Sequence, residues 1–343
     1  MKRVRCAGPL LALGLLILTS ACTGAPGPSS STTPAAETTL RLAFPAAADS
    51  PQAEALATFS QDLDGATAGR VQVEIRPDQA LGRPDSVLQA VSDGSIAMAV
   101  VDGPTLASLN EDVGVFQLPY LFDSPEAQAA ALADPAARAV LDSLAQPHRI
   151  SVLTGLYGGT RNIYTTERPV RTPDDLAGLT LRVDSSQMAV SMIEQMGAVA
   201  VPMKVDQVAR ALTAGTLQGA EDTTMSYQQL GHSQTAGHYS YTRHLMIPDY
   251  LIVNTDQLAD LNRADRDALS ALIPALVEQT ITGTQAAEVA ARRAAEAAGA
   301  TFYEDVDAQA FALRTETLVA AALTNPERVA LHEAVQKANE AHP

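Results

Sequence analysis

The feature that most constrains the fold of this chain is a regular alternation of strand patterns and helix patterns. Residues 39–44 alternate apolar and polar side chains, as a half-buried strand does, whereas residues 96–101 form a continuous apolar run suited to a buried parallel strand. Helix patterns separate these segments, and the first begins at Pro51, a favourable first helical residue. This β-α-β-α order predicts an α/β fold with a largely parallel sheet.

A second unit with the same alternation starts near Arg161. Strand patterns at 179–183 and 200–202 each lead into a helix pattern, and we expect the run at 241–254 to return to the first unit. The chain is long enough for two domains of typical size. We predict a domain I of 39–158 and 248–286, a domain II of 159–247 and 287–325, and a C-terminal helix at 326–343.

Residues 263–298 carry one long helical pattern that ends at Gly299, a usual helix stop. At about 1.5 Å per residue this helix would extend on the order of 50 Å, which exceeds the size of a small domain. We expect Pro274 and Gly283 to kink or interrupt it, since both residue types disfavour a helix interior. The pattern therefore predicts one unusually long helix late in the chain.

Residues 1–22 have the composition of a targeting segment. Three basic residues lie within the first five positions, and the apolar run at 10–18 is too short to count on as a membrane span. The four residues that end at Cys22 resemble a lipobox, which predicts lipidation of Cys22; the alternative is an ordinary signal peptide cut after Ala21. Residues 23–37 are mostly Thr, Gly, Ala, Pro and Ser, so we predict a flexible tether that keeps an extracytoplasmic protein at a membrane.

Charge and motif content exclude several classes of function. The net charge of −16 argues against nucleic-acid binding, which requires a basic surface. The sequence contains no Gly-x-x-x-x-Gly-Lys phosphate loop and no Gly-x-Ser-x-Gly nucleophile elbow. His232, His238 and His244 lie six residues apart, so no two of them are one helical turn apart on the same face. We therefore predict no enzyme activity, no cofactor and no metal site.

Two arginines stand in distinctive local sequences. Arg161 ends the run Gly-Gly-Thr-Arg, and Arg182 lies in Leu-Thr-Leu-Arg-Val. Met-Gly-Ala-Val-Ala-Val-Pro-Met follows at 196–203, and Ala-Gly-Thr-Leu-Gln-Gly-Ala-Glu-Asp at 214–222. Together these segments resemble the solute-binding subunit of tripartite ATP-independent periplasmic (TRAP) transporters, and the resemblance extends over roughly residues 39–340.

The resemblance implies a two-domain, periplasmic-binding-protein-like fold with a central ligand cleft and a long helix spanning both domains. It also implies a small organic acid as ligand, membrane permease subunits as partners, and a monomer. In this family an arginine at the position of Arg182 makes a two-pronged salt bridge to the substrate carboxylate, and Arg161 aligns with a second arginine that some members use. A planar, permanently charged guanidinium suits that role. The alternatives are an Arg182 paired with nearby Asp184 and an Arg161 whose salt bridge supports the cleft.

Asp222 departs from the family pattern, in which many relatives have asparagine followed by proline. Asparagine donates hydrogen bonds to a carboxylate, whereas an ionised aspartate cannot. Either Asp222 partly neutralises Arg182, or the ligand presents a hydroxyl or an amine to it. Glu221 falls on the family's acid just before that position, where it lines the cleft or pairs with a nearby base. His244 matches a family position that approaches the ligand.

Three further residues are expected on the opposite side of the cleft. Asp102 follows the buried strand 96–101, and ligands bind at the carboxyl ends of strands in α/β sheets. It would accept hydroxyl hydrogen bonds from a ligand or, equally, cap the next helix. Pro45 ends the first strand and should line the same cleft, and Tyr157 would offer its ring or its hydroxyl.

These expectations combine into one predicted function. The chain would be an extracytoplasmic, membrane-tethered binding protein that captures a small organic acid and delivers it to a TRAP permease. One alternative is a binding protein of an ATP-driven importer or of a sensor system. The other is a secreted lipoprotein enzyme, for which Asp102, Asp222 and His244 are the available groups.

Overall fold

Two β-sheets organise residues 38–343, the part of the chain that the computed structural model describes. The predicted signal peptide, the lipidation site at Cys22 and the predicted tether lie outside the described residues. The strands are β1 (Thr38–Ala43), β2 (Val71–Arg76), β3 (Met98–Asp102), β4 (Ile150–Tyr157), β5 (Arg161–Thr165), β6 (Thr180–Val183), β7 (Val199–Pro202), β8 (Gly219–Thr223), β9 (His238–Leu245), β10 (Pro248–Asn254) and β11 (Thr301–Tyr303).

Helices cover the faces of both sheets. They are α1 (Pro51–Ala66), α2 (Pro84–Asp93), α3 (Gly103–Ala107), α4 (Pro125–Ala133), α5 (Pro135–Asp142), α6 (Ala145–His148), α7 (Gln187–Met196), α8 (Val205–Thr213), α9 (Thr224–Gln229), α10 (Thr255–Asp260), α11 (Arg263–Ala297), α12 (Ala308–Ala322) and α13 (Pro326–Ala341). Short 3₁₀ turns occur at Glu111–Gln117, Pro173–Leu176 and His232–Gln234. The order of strands and helices confirms the predicted α/β alternation.

The first sheet has the strand order β2-β1-β3-β10-β4. β1 pairs in parallel with β2 and β3, whereas β10 is antiparallel to both β3 and β4. Alternate residues of a central strand face opposite sides: Ala99 and Val101 join one apolar core, and Met98 and Val100 join the other. Burial on both faces explains why the sequence of β3 is continuously apolar.

The second sheet has the strand order β11-β9-β5-β8-β6-β7. β5 is antiparallel to β8 and β9, and the remaining pairs are parallel. The run at 241–254, which we expected to return to the first unit, is divided between the two sheets. Its first part belongs to β9 of the second sheet, and β10 of the first sheet begins at Pro248, the residue at which we predicted domain I to resume. The exact domain boundaries stay a prediction.

Helix α11 is continuous over 35 residues and ends before Gly299, which adopts a left-handed φ of 101°. The predicted interruption at Pro274 or Gly283 is wrong, because the helix runs through both residues, and a kink there stays a prediction. Pro274 and Ser270, the residue whose carbonyl loses its helical partner to the proline, are both exposed. At Gly283 the helix approaches α1, where an added Cβ would lie 3.4 Å from the Cβ of Pro51. The helix packs on α1 and β4 at one end and on α9 and β11 at the other, so it connects the two sheets.

No helix within residues 38–343 combines the length and the apolar character needed to cross a lipid bilayer.

Candidate ligand-binding site

The carboxyl ends of strands from both sheets lie together where the chain crosses between the two sheets. β4 leads directly into β5, and β9 into β10, so both crossings join the same two sheet edges. β10 is antiparallel to β3 and β4, and β1 is parallel to β3. The carboxyl ends of β1, β3 and β4 therefore all lie on the side of the first sheet where the chain crosses. Likewise the carboxyl ends of β6, β7 and β8 lie on the facing side of the second sheet. β8 is antiparallel to β5, and β6 and β7 run parallel to β8. Ligands in open α/β sheets bind at such carboxyl ends, which places the candidate cleft here.

Arg182 lies near the end of β6 and is only 7% exposed. Leu181 and Val183 face the apolar core beneath α7, so strand alternation directs Arg182 to the opposite face. Its Nε donates a hydrogen bond to the Met203 carbonyl at 2.9 Å. Within residues 38–343 the guanidinium forms no ion pair, and Asp184 instead accepts a hydrogen bond from the backbone N–H of Ser186. The terminal nitrogens of a nearly buried cation are therefore available to an anion.

Arg161 differs from Arg182 because its guanidinium forms an ion pair with Glu221. Nε lies 2.5 Å from Glu221 Oε2, one Nη donates to Oε1 at 2.8 Å, and the same nitrogen donates to the Glu221 carbonyl at 3.1 Å. Burial alone would raise the pKa of Glu221, but the Arg161 charge and a contact with His244 outweigh it and lower the pKa to about 2. The pair therefore stays ionised at neutral pH.

Two more predicted residues join this group. His244 is fully buried, with Nε2 3.5 Å from Glu221 Oε2 and Nδ1 2.9 Å from the hydroxyl oxygen of Thr242. Asp222 Oδ1 accepts a hydrogen bond from the Thr223 backbone N–H at 2.8 Å and lies 3.5 Å from Arg161 Nη1. The structure thus brings Arg161, Glu221, Asp222 and His244 together, and Asp222 forms its ion pair with Arg161 rather than with Arg182.

Asp102 and Pro45 lie at strand ends of the first sheet, separate from the group around Arg161. Both line the same pocket. Asp102 is exposed, and its Oδ1 accepts a hydrogen bond from the Thr105 backbone N–H at 2.7 Å as the N-cap of α3. The helix-capping alternative is therefore present, while the second carboxylate oxygen remains at the cavity.

Tyr157 occupies the end of β4, immediately before the crossing to β5, and is 4% exposed. Its hydroxyl oxygen lies 3.0 Å from the Thr160 hydroxyl, within the crossing itself. Burial, followed by the charge of Glu288 on α11, raises the pKa of Tyr157 above its usual value. The Tyr157 hydroxyl therefore forms a hydrogen bond within the segment that crosses to the second sheet.

Asp249 and Gln52 were missed by the sequence analysis. Asp249 is the second residue of β10 and lines the same cavity as Asp102. Gln52, at the start of α1 and 9% exposed, donates from Nε2 to Asp249 Oδ2 at 2.8 Å and to the Tyr157 carbonyl at 3.3 Å. The available signal was a single acid within the otherwise uncharged strand sequence Pro-Asp-Tyr-Leu-Ile-Val-Asn.

Within residues 38–343, no cluster of three or more His, Cys, Asp and Glu side chains has the geometry to hold a metal ion.

Comparison with protein-family models decides the family. The chain matches DctP, described as bacterial extracellular solute-binding protein, family 7, over residues 43–325. This chain belongs to the DctP family. The DctP chain is 32% identical over 219 residues to a protein named solute-binding protein from Chromohalobacter salexigens. That alignment covers 64% of this chain and 65% of the relative, just under two thirds of its length.

Solved structures give the same result for the fold of the DctP chain. A TRAP periplasmic solute binding protein from Chromohalobacter salexigens, crystallised with bound D-glucuronate, superposes with a TM-score of 0.79 and 27% identity, covering 87% of this chain and 99% of that one. Another from Xanthobacter autotrophicus Py2, with bound β-D-galacturonate, has a TM-score of 0.75 and 26% identity over 88% and 99% of the two chains. The predicted TRAP resemblance and the two-domain α/β fold are confirmed.

Proposed function

We propose that this chain is an extracytoplasmic solute-binding protein of a TRAP transporter that captures a sugar acid and delivers it to a membrane permease. The family consists of extracellular solute-binding proteins, which supports binding rather than catalysis. The solved relatives hold D-glucuronate and β-D-galacturonate, so a small carboxylate of the uronate type fits the family. Lipidation of Cys22 and a monomeric state belong to the same proposal.

One observation carries the proposal, namely the nearly buried Arg182 that has no ion-pair partner in the described residues. Taking a charge out of water is costly unless an opposite charge compensates it. A ligand carboxylate compensates Arg182 with two parallel hydrogen bonds, because a guanidinium edge and a carboxylate match in geometry. Arg161 has a supporting role in this proposal, because its guanidinium is already paired with Glu221 and lies near Asp222.

Calorimetric titration of the purified protein with D-glucuronate tests the anchor. We expect Arg182→Ala to weaken binding by about 2–5 kcal/mol, which is roughly 30-fold to several thousand-fold in Kd, because a buried charge partner is lost. Arg76→Ala is the matched control, since Arg76 is an exposed arginine at the end of β2. Equal affinities for the parent and Arg182→Ala would contradict the proposed anchor.

A further inference from the structure

At the cleft the strand ends of the first sheet carry Asp102 and Asp249, and the facing strand ends carry Arg182 beside the group of Arg161, Glu221 and Asp222. Asp249 and Asp102 are directly paired residues of the antiparallel strands β10 and β3. Both residues line the same pocket at the carboxyl end of β1, together with Phe44 and Pro45. A ligand that spans the cleft with its carboxylate at Arg182 would direct its other end towards the first sheet, where these two carboxylates lie.

The Asp249 carboxylate is held in a defined position. Its Oδ2 accepts the hydrogen bond from Gln52, whose amide is itself fixed by the Tyr157 carbonyl. On the other side, an added Cβ at Gly158 would lie only 3.0 Å from Oδ2, so the crossing segment packs closely against it. Oδ1 accepts no hydrogen bond from any residue in the range 38–343. One carboxylate oxygen is thus free to accept from a ligand.

No lysine or arginine of the described residues forms an ion pair with Asp249 or Asp102. Burial raises the pKa of Asp249 to about 6, and the charge of Asp102 adds to this effect against the hydrogen bond from Gln52. An acid in this environment is stabilised by hydroxyl or amine donors and is destabilised by a second anion. Asp222, the acid first considered for that task, differs because Arg161 and the Thr223 backbone N–H compensate its charge at Oδ1.

We propose that Asp249, positioned by Gln52 and paired with Asp102, accepts hydrogen bonds from ligand hydroxyl groups and excludes a second carboxylate. The cleft then selects hydroxylated monocarboxylates over dicarboxylates. This inference rests on the proposed function, because it takes the ligand carboxylate to be bound by Arg182. A hydrogen bond to a charged group contributes roughly 10- to 100-fold in affinity, and like charges placed together reduce affinity by a comparable or larger factor.

The test compares D-glucuronate with succinate by calorimetry at pH 8, where both probes and Asp249 are ionised. We expect the parent protein to bind succinate at least 100-fold more weakly than D-glucuronate. Asp249→Asn retains the shape and removes the charge, so it should weaken D-glucuronate about 10-fold or more and strengthen succinate about 10-fold or more. Asp62→Asn, an exposed acid of α1, is the charge-matched control and should leave the ratio unchanged.

A second variant keeps the test decisive if Asp249→Asn does not fold. Gln52→Leu removes the donor that positions Asp249, so it should weaken D-glucuronate without any gain for succinate. If Arg182→Ala abolishes binding of D-glucuronate while Asp249→Asn leaves the ratio of the two affinities unchanged, the selectivity inference is wrong and the proposed function stands. If the parent binds neither acid, both are wrong.

Discussion

The charge of Asp249 should lower the stability of the ligand-free protein in a pH-dependent way. Its pKa in the folded chain is about 6, compared with roughly 3.9 for an unfolded aspartate. At about 1.4 kcal/mol for each tenfold change in proton affinity, ionising Asp249 lowers the free energy of unfolding by at most about 3 kcal/mol. Because the pKa of Asp249 is higher in the folded chain than in the unfolded chain, protonation of Asp249 stabilises the folded protein. This contribution is fully present below roughly pH 3.9 and is lost as the pH rises through about 6.

Asp249→Asn is neutral at every pH and keeps an oxygen that accepts from Gln52. We therefore expect this variant to exceed the parent in free energy of unfolding by up to about 3 kcal/mol at pH 8 and to equal it at pH 4. The charged neighbour in this window is Asp102 on β3, while α1 brings the neutral Gln52 and the crossing brings Gly158.

Urea denaturation followed by far-ultraviolet circular dichroism at pH 4, 6 and 8 measures this difference. The variant Asp62→Asn serves as the control, since its exposed acid should give a difference from the parent that hardly changes with pH. A difference between Asp249→Asn and the parent that stays constant from pH 4 to pH 8 would refute the reasoning. So would a variant that is less stable than the parent at pH 8.

Three further variants test other contacts by the same denaturation assay. Arg161→Gln should cost about 3–5 kcal/mol at pH 7, because it leaves Glu221 buried without its charged partner. Because the pKa of Glu221 is lowered to about 2 in the folded parent, the loss of stability should shrink as the pH falls below roughly 4. A loss of stability that persists at pH 2 would argue against this role of the ion pair. Gly219→Ala should cost about 1–3 kcal/mol or more, because its Cβ would lie 2.3 Å from the Tyr164 carbonyl oxygen. Gly283→Ala, with 3.4 Å of space on α11, should instead gain about 0.5–1 kcal/mol, and equal effects of the two alanines would contradict this account.

Local patterns predicted most of the secondary structure because periodicity and stop residues act over short distances. The long helix and its end at Gly299 are an example. At 241–254 the pattern indicated the return to the first unit, and β9 and β10 are separated there by only Met246 and Ile247, both apolar. The neighbours of each strand within a sheet could not be predicted in this way, because they depend on pairing with strands far away in the sequence.

For the candidate site, the motif resemblance identified both arginines. It did not show that Arg161 forms an ion pair with Glu221 while Arg182 forms none within the described residues. Arg161 and Arg182 both lie on strands of one sheet, and only the pairing of β5 with β8 determines that Glu221 meets the first of them. Asp249 and Gln52 are 197 positions apart, so no local sequence signal connects them. Their contact arises because α1 and β10 meet at one edge of the first sheet.

The place of β10 in the first sheet also determines the order in which the protein can fold. β10 lies between β3 and β4, yet it is synthesised after every strand of the second sheet except β11. The first sheet therefore remains split into two pieces until residues beyond Asn254 are available, and its core also requires Leu331 and Val335 of α13. Contacts this distant in sequence make folding slow, because a long loop must close before they stabilise anything. The amino-terminal half of a growing chain would thus keep apolar surface exposed, which is the state that chaperones bind.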